Sequence, residues 1–174
     1  MLNILRRKPR NAAQVRGLYA ALTAAARQPA FFTVYGVADT IDGRFDMVVL
    51  HAWLVLVWLR EAGNGEVAQA LSDAIFIGFD EALRDLGNGD MGMGRRMKKL
   101  GDAFNGRLQA YNAAAGDEIA LRDAIVRNVY RGADGHEAAA LGLARYALGA
   151  RERLKQCDAA SDALEFGPVP TTFA

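Results

Sequence analysis

The chain of 174 residues predicts an all-α fold, a single-domain bundle of about six helices. Three observations lead there. Apolar side chains recur at helical spacing in segment after segment; stop signals such as Pro29, Gly63-Asn64-Gly65, Gly87 and Gly132 separate those segments; and the apolar run Met47 to Leu59 is too long for a strand, which usually takes four to eight residues. With 52% apolar residues and no internal repeat or linker, the length suits one real core and not two.

The first helix is expected over Asn11 to Arg27, with Val15, Leu18, Tyr19 and Leu22 on one side and Pro29 as its stop. Phe31 to Thr40 reads as an ordered connector or short turn. Its rings Phe31, Phe32 and Tyr35 must pack, since leaving each in water forfeits roughly 1.5–3 kcal/mol. Asp42 is the expected N-cap of a helix running to about Ala62. Glu66 to Leu86 carries an apolar stripe of Val67, Leu71, Ala74, Ile75, Gly78, Phe79, Ala82 and Leu86, with Gly87 as its left-handed cap. Gly92 to Tyr111 repeats the pattern through Met97, Leu100, Phe104, Leu108 and Tyr111, and the two helices should form a hairpin across Gly87 to Gly94. Asp117 to Arg131 points Leu121, Ile125 and Val129 inward. Asp134 and Glu137 have the form of a capping box for a last helix reaching about Leu164. The tail from Gly167, with Pro168 and Pro170, reads as an extended strap or a disordered end.

Charge is unevenly spread although the net value is only +1. Met1 to Ala38 contains Arg6, Arg7, Lys8, Arg10, Arg16 and Arg27 and no acid, so the remainder is net acidic. That balance excludes a disordered acidic tail and a generally basic wrapper of DNA. One cysteine, Cys157, excludes an internal disulfide and suits a reducing compartment. The basic start is not followed by an uninterrupted apolar stretch, so a secretory signal is not expected; a mitochondrial presequence would be richer in serine than a chain holding only Ser72 and Ser161.

Met47 to Leu59 is apolar except for His51, and it is too short to cross a bilayer. A helix apolar all round belongs at the centre of a bundle. The competing reading leaves one side accessible, with Trp53, Leu54, Val57 and Trp58 docking a hydrophobic client or partner helix. His51 reads as a hydrogen-bonded core histidine. Two histidines and one cysteine show no zinc spacing, so no metal or cofactor is expected. The glycines of GNGDMGMGRRMKK lack the Gly-Lys-Ser/Thr ending of a phosphate loop and read as a turn. No acid–base pair, prenyl-transfer motif or serine nucleophile stands out, so catalysis is not expected.

Arg95, Arg96, Lys98 and Lys99 occupy the first turns of a helix, where the dipole makes cations mildly unfavourable. With Arg107 able to share a face with Arg96 and Lys99, anion recognition competes with a simple solvated surface. Pairing to Asp73, Asp80, Glu81 and Asp85 of the preceding helix would use part of that charge. The start of the chain, with Leu2, Ile4 and Leu5 among Arg6, Arg7, Lys8 and Arg10, suits an anionic membrane or ribosomal RNA, or is a frayed terminus.

Three strings in order, FDMVVLHAWLV, FDEALRDLG and GDMGMGRRMKKLGDAFNGRLQAY, resemble the ubiquinol-cytochrome c chaperone family, over roughly Val37 to Ala113. The resemblance implies a non-enzymatic assembly factor that handles newly made cytochrome b during maturation of the bc1 complex. It also implies a ribosomal or membrane contact and a small helical partner, in a bacterial cytoplasm at the inner membrane or in a mitochondrial matrix. It divides the chain into a basic arm and helix (1–36), the chaperone domain (37–166) and a tail (167–174). A peripheral lipid- or quinone-binding protein is the alternative; a buried apolar cavity beside Trp53 would favour it.

Overall fold

A computed structural model of the chain describes residues 11–85 and 92–172. Among these residues there are six helices of eleven residues or more, one single-turn helix and no strand. In chain order they are α1 (Ala12–Ala26), α2 (Pro29–Thr33), α3 (Ile41–Glu61), α4 (Gly65–Asp85), α5 (Met93–Ala114), α6 (Glu118–Asn128) and α7 (Glu137–Leu154).

Helix α3 is the axis. It packs against α1, α4, α5 and α7, and nearly every residue from Asp46 to Leu59 is buried, with Val57 half-buried. A side chain such as Leu50, Leu54 or Leu59 contributes roughly 1.5–3 kcal/mol when fully withdrawn from water. Around it, α1 supplies Leu18 and Leu22, α4 supplies Val67, Leu71 and Ile75, and α5 supplies Phe104 and Tyr111. α7 faces inward mainly through Ala139, Ala140, Ala144, Ala147 and Ala150, small residues that let it approach α3 and α6 closely. Gly78 serves the same end on α4: an added Cβ would stand 1.9 Å from the Tyr19 hydroxyl of α1.

Several local expectations need correction. Pro29 stops α1 and also opens α2, as proline suits a first helical position. The N-cap of α3 is Thr40, whose hydroxyl accepts the Gly43 amide at 3.2 Å; Asp42 lies one residue inside the helix. The Gly43 Cβ position is occupied by the Ala38 carbonyl, 1.9 Å away, so the connector can fold back only over a glycine. α4 and α5 do not lie close along their length. They meet through rings, Phe104 standing 5.1 Å from Phe76 and 6.5 Å from Phe79. Ala82, expected inward, is exposed; Leu86 and Gly87 lie outside the described residues.

The Asp134–Glu137 capping box does not form. His136 is the residue before α7, and its ring stacks on Tyr130 at 4.4 Å. The same helix ends at Leu154, ten residues short of the expected end at Leu164. Asp158 competes for the backbone there, accepting the Ala160 amide on its carboxylate and the Ser161 amide on its carbonyl. Gln14 then donates to the Ala159 and Ser161 carbonyls and Asn64 to that of Ala159, tying the segment to α1 and to the start of α4. Beyond it the tail is an extended strap, with Phe166 and Val169 buried.

Candidate functional site

Three features of α3 and α5 are candidates: the central apolar helix, the polar clasp that joins it to α5, and the basic first turns of α5.

The expected docking side chains of α3 are not a surface in this structure. Trp53, Leu54 and Trp58 are 1%, 0% and 4% exposed, and Val57 is half-buried. The reason is the one that made the helix legible: apolar on every side, it has a neighbour on every side. The Trp53 indole donates to Asn112 Oδ1 at 2.8 Å and lies 5.6 Å from the Tyr111 ring, so α5 covers it.

His51 is the first of two buried polar groups on α3. Its Nδ1 lies 2.8 Å from the Met47 carbonyl and its Nε2 2.9 Å from the Tyr146 hydroxyl, so the neutral ring donates at Nδ1 and accepts the hydroxyl proton at Nε2. Phe31, Tyr146 and Phe166 surround it at 5.2–5.7 Å. Burial lowers its pKa to about 4, partly opposed by the Met47 carbonyl, which favours a proton on the ring. The histidine is a structural pin between α3, α7 and the strap.

Asp46 is the second, and the spacing of motifs gave no sign of its partners. Its carboxylate is wholly buried and is held at 2.8 Å by Arg107 Nε of α5 on one oxygen and at 2.8 Å by Arg131 Nη1, just after α6, on the other. Desolvation raises its pKa despite both guanidinium groups. Arg107 also donates to the Ala103 carbonyl and lies 5.2 Å over the Phe45 ring. Arg131 takes a left-handed conformation, φ +57°, and donates to the Asn128 carbonyl. One signal was readable: an acid inside an apolar helix needs a counter-charge. Which arginine answers it depends on tertiary contact between segments 61 residues or more apart.

The expectation that Arg107 shares an anion-binding face is therefore corrected. Its side chain is 14% exposed and engaged with Asp46. Arg95, Arg96, Lys98 and Lys99 do stand exposed on the first turns of α5, and Gly92, Arg95, Arg96 and Lys99 line an open cleft of about 350 Å³. Gly92 precedes the helix at φ +102° and offers no side-chain cap, and the first turn holds no acid. Among the described residues Arg95, Lys98 and Lys99 have no carboxylate within ion-pair distance, while Asp80 of α4 pairs with Arg84 on its own helix at 2.8 Å. Positive side chains thus reinforce the positive end of the helix dipole, a combination that favours an incoming anion. Arg6, Arg7, Lys8 and Arg10 lie outside the described residues.

A second cleft, of about 290 Å³, lies between the start of α7, Tyr35 and the strap residues Pro170 and Thr172, away from Trp53. Among the described residues no group of three or more His, Cys, Asp or Glu side chains is placed to hold a metal ion, and no helix is long and apolar enough to cross a membrane.

The arrangement of helices around α3 has a counterpart in the crystal structure of the Cbp3 homolog from Brucella abortus, which superposes with a TM-score of 0.81 at 36% identity over 91% of each chain. The sequence model of the ubiquinol-cytochrome c chaperone family matches residues 33–164. The chain belongs to that family. No curated protein matched it. The matched span contains α3 to α7 in full, hence the clasp and the basic turns of α5; α1 and most of α2 precede it.

Proposed function

We propose that this chaperone-family protein binds newly made cytochrome b and supports assembly of the ubiquinol-cytochrome c reductase complex, with the basic turns of α5 meeting a polyanion beside the client. Membership of the family over residues 33–164 is the observation that carries the reading. The exposed Arg95, Lys98 and Lys99 add to it, since membrane surfaces and ribosomes are both negatively charged and draw such a patch toward the place where a membrane protein emerges. On this reading the protein works on the cytoplasmic side of a bacterial inner membrane, or in the matrix of a mitochondrion, without turning over a substrate.

Co-purification from detergent-solubilised cells tests the proposal. Tagged protein is expected to retain cytochrome b, and deletion of its gene to deplete assembled bc1 complex without lowering the transcripts. Reversing Arg95, Arg96, Lys98 and Lys99 to glutamate is expected to weaken recovery while the helical circular dichroism is kept. Recovery of no bc1 component by the unaltered protein would refute the reading; recovery unchanged by the charge reversal would refute the part given to α5.

A further inference from the structure

The basic first turns of α5 have apolar company at their end of the molecule. The start of α3, the end of α4 and the first half of α5 meet there in a knot of rings: Phe45 is 5.1 Å from Phe79, and Phe104 is 5.1 Å from Phe76 and 6.5 Å from Phe79. Two of the three large apolar side chains exposed among the described residues flank this knot. Ile41, 59% exposed, stands one turn before Phe45, and Ile77, 60% exposed, follows Phe76.

Helix geometry sets the cations beside this apolar edge. An added Cβ on Gly101 would stand 3.9 Å from the Phe76 ring, so Gly101 marks the side of α5 turned to α4. Exposed Lys98 lies three residues earlier on that side, exposed Arg95 three earlier again, and exposed Lys99 adjoins Arg95 on the face opposite Phe104. Nearby acids are engaged or turned elsewhere. Asp73 accepts the Gln69 amide at 2.9 Å, and Asp80 is held by Arg84 at 2.8 Å. Glu81 and Asp85 follow Gly78, whose added Cβ would meet the Tyr19 hydroxyl, at i+3 and i+7, so they lie on the side of α4 turned to α1. Within α5, Asp102 is the single acid against Arg95, Arg96, Lys98 and Lys99, Arg107 being spent on Asp46.

We infer that this end of the bundle rests on an anionic lipid bilayer, with Arg95, Lys98 and Lys99 at the headgroups and Ile77 entering the boundary beneath them. The inference rests on the proposed function and names the polyanion that its basic turns meet. RNA would engage the same cations but has no use for Ile77. Surfaces that hold single strands turn aromatic rings outward for the bases, whereas here the exposed large apolar side chains are aliphatic and the rings pack on one another. A lipid interface takes both parts, the charge at its phosphates and the aliphatic side chain at the acyl boundary. Each cation near such a surface contributes about fivefold in affinity, so the attachment is reversible and sensitive to salt.

Co-sedimentation of the full chain with vesicles tests this, using phosphatidylglycerol mixed with phosphatidylcholine against phosphatidylcholine alone, and poly(U) RNA as a third probe. Binding is expected to the anionic vesicles only, at about 0.1 M salt and not at about 1 M, where screening acts within a few ångströms. Arg95→Gln, Lys98→Gln and Lys99→Gln together should weaken it about hundredfold, the product of three such factors, and Ile77→Asn about fivefold, with the helical circular dichroism kept. Because Arg6, Arg7, Lys8 and Arg10 are basic too, both losses should recur in a chain where those four are glutamine. Equal binding to the two kinds of vesicle, or binding that vanishes with those four and ignores α5, would overturn the inference. So would binding of poly(U) through the α5 cations with vesicles ignored, which would assign the patch to RNA. Unchanged binding by Ile77→Asn would overturn the part given to the isoleucine. No vesicle binding by a protein that still recovers cytochrome b would overturn the lipid contact and leave the chaperone reading standing. Vesicle binding with these losses, by a protein that recovers no bc1 component, would support the contact and remove that reading.

Discussion

Acidification from pH 7 to pH 5 is expected to weaken the fold by about 2 kcal/mol through His51 alone. Both ring nitrogens are satisfied as the neutral tautomer, the Met47 carbonyl at 2.8 Å and the Tyr146 hydroxyl at 2.9 Å, and no water reaches a ring that is 0% exposed. Burial puts its folded pKa at about 4, against 6.5 in an unfolded chain. Above pH 6.5 neither state binds the proton and the stability is complete. As the pH falls from 6.5 toward 4, the unfolded chain takes up a proton that the folded one refuses, so stability declines by about 1.4 kcal/mol per pH unit and then levels off. The interval from 6.5 to 5 yields the figure quoted. Asp46 works in the opposite sense: its raised folded pKa lets the native state take its proton first, so falling pH through that range adds stability. A comparison with His51→Gln, which cannot titrate, removes Asp46 and the other carboxylates from the difference. Urea midpoints at pH 7, 6 and 5 give the two curves. Wild type should lose about 2 kcal/mol more than the variant across that interval; parallel curves would show that His51 is hydrated or charged in the native state.

Other perturbations have signs fixed by single contacts. Gly43→Ala drives a Cβ to 1.9 Å from a backbone carbonyl and should cost about 1–3 kcal/mol, whereas Gly106→Ala, within α5 and facing open space, should gain about 0.5–1 kcal/mol; thermal melts of the two moving in the same direction would refute the reading of the glycines. Arg107→Ala leaves a wholly buried carboxylate with a single partner at the rim and should cost about 3 kcal/mol, against roughly 1 kcal/mol for Arg131→Ala, whose side chain is 49% exposed. Equal losses in urea unfolding would contradict the unequal burial of the two arginines. Asp117→Ala should cost about 1 kcal/mol, because that carboxylate accepts the Ile119 and Ala120 amides at the start of α6.

How far the sequence speaks depends on whether the deciding force is local. α3 was legible because a thirteen-residue apolar stretch has one soluble solution, the centre of a bundle, and α6 because Asp117 and Gly132 punctuate it. Thr40 and Asp42 are both good cap residues two positions apart, and the choice fell to the fold-back of Ala38 onto Gly43, a contact that only the folded chain contains. The neighbours of α5 were less legible for a related reason. An apolar stripe says that a helix face is buried, not by which neighbour, and the stripe of α5 is shared among α3, α6 and the rings Phe76 and Phe79 of α4, while most of the turn expected between α4 and α5 lies outside the described residues. The basic turns of α5 could be read from the string Arg95 to Lys99, since charge on an exposed helix start needs no tertiary context. Arg107 could not, because Asp46 is distant in sequence and takes it out of the surface.

The two buried polar groups of α3 divide the molecule into a firm side and a loose one. His51 is neutral, and its partners, the Tyr146 hydroxyl and the rings of Phe31 and Phe166, come from α7, α2 and the strap. Separating them exposes aromatic surface and returns little, since a neutral imidazole gains only modest hydration. Asp46 is charged, and its partners come from α5 and the turn after α6. Separating those admits water to a carboxylate and a guanidinium, which recover hydration worth several kcal/mol per ion, so the electrostatic cost of parting is largely returned. The electrostatic cost of separation is therefore unequal around the same helix: it is largely returned where α5 and the turn after α6 meet Asp46, and little is returned where α7, α2 and the strap meet His51. A chain built this way keeps its most apolar helix out of water, where it would otherwise recruit other copies.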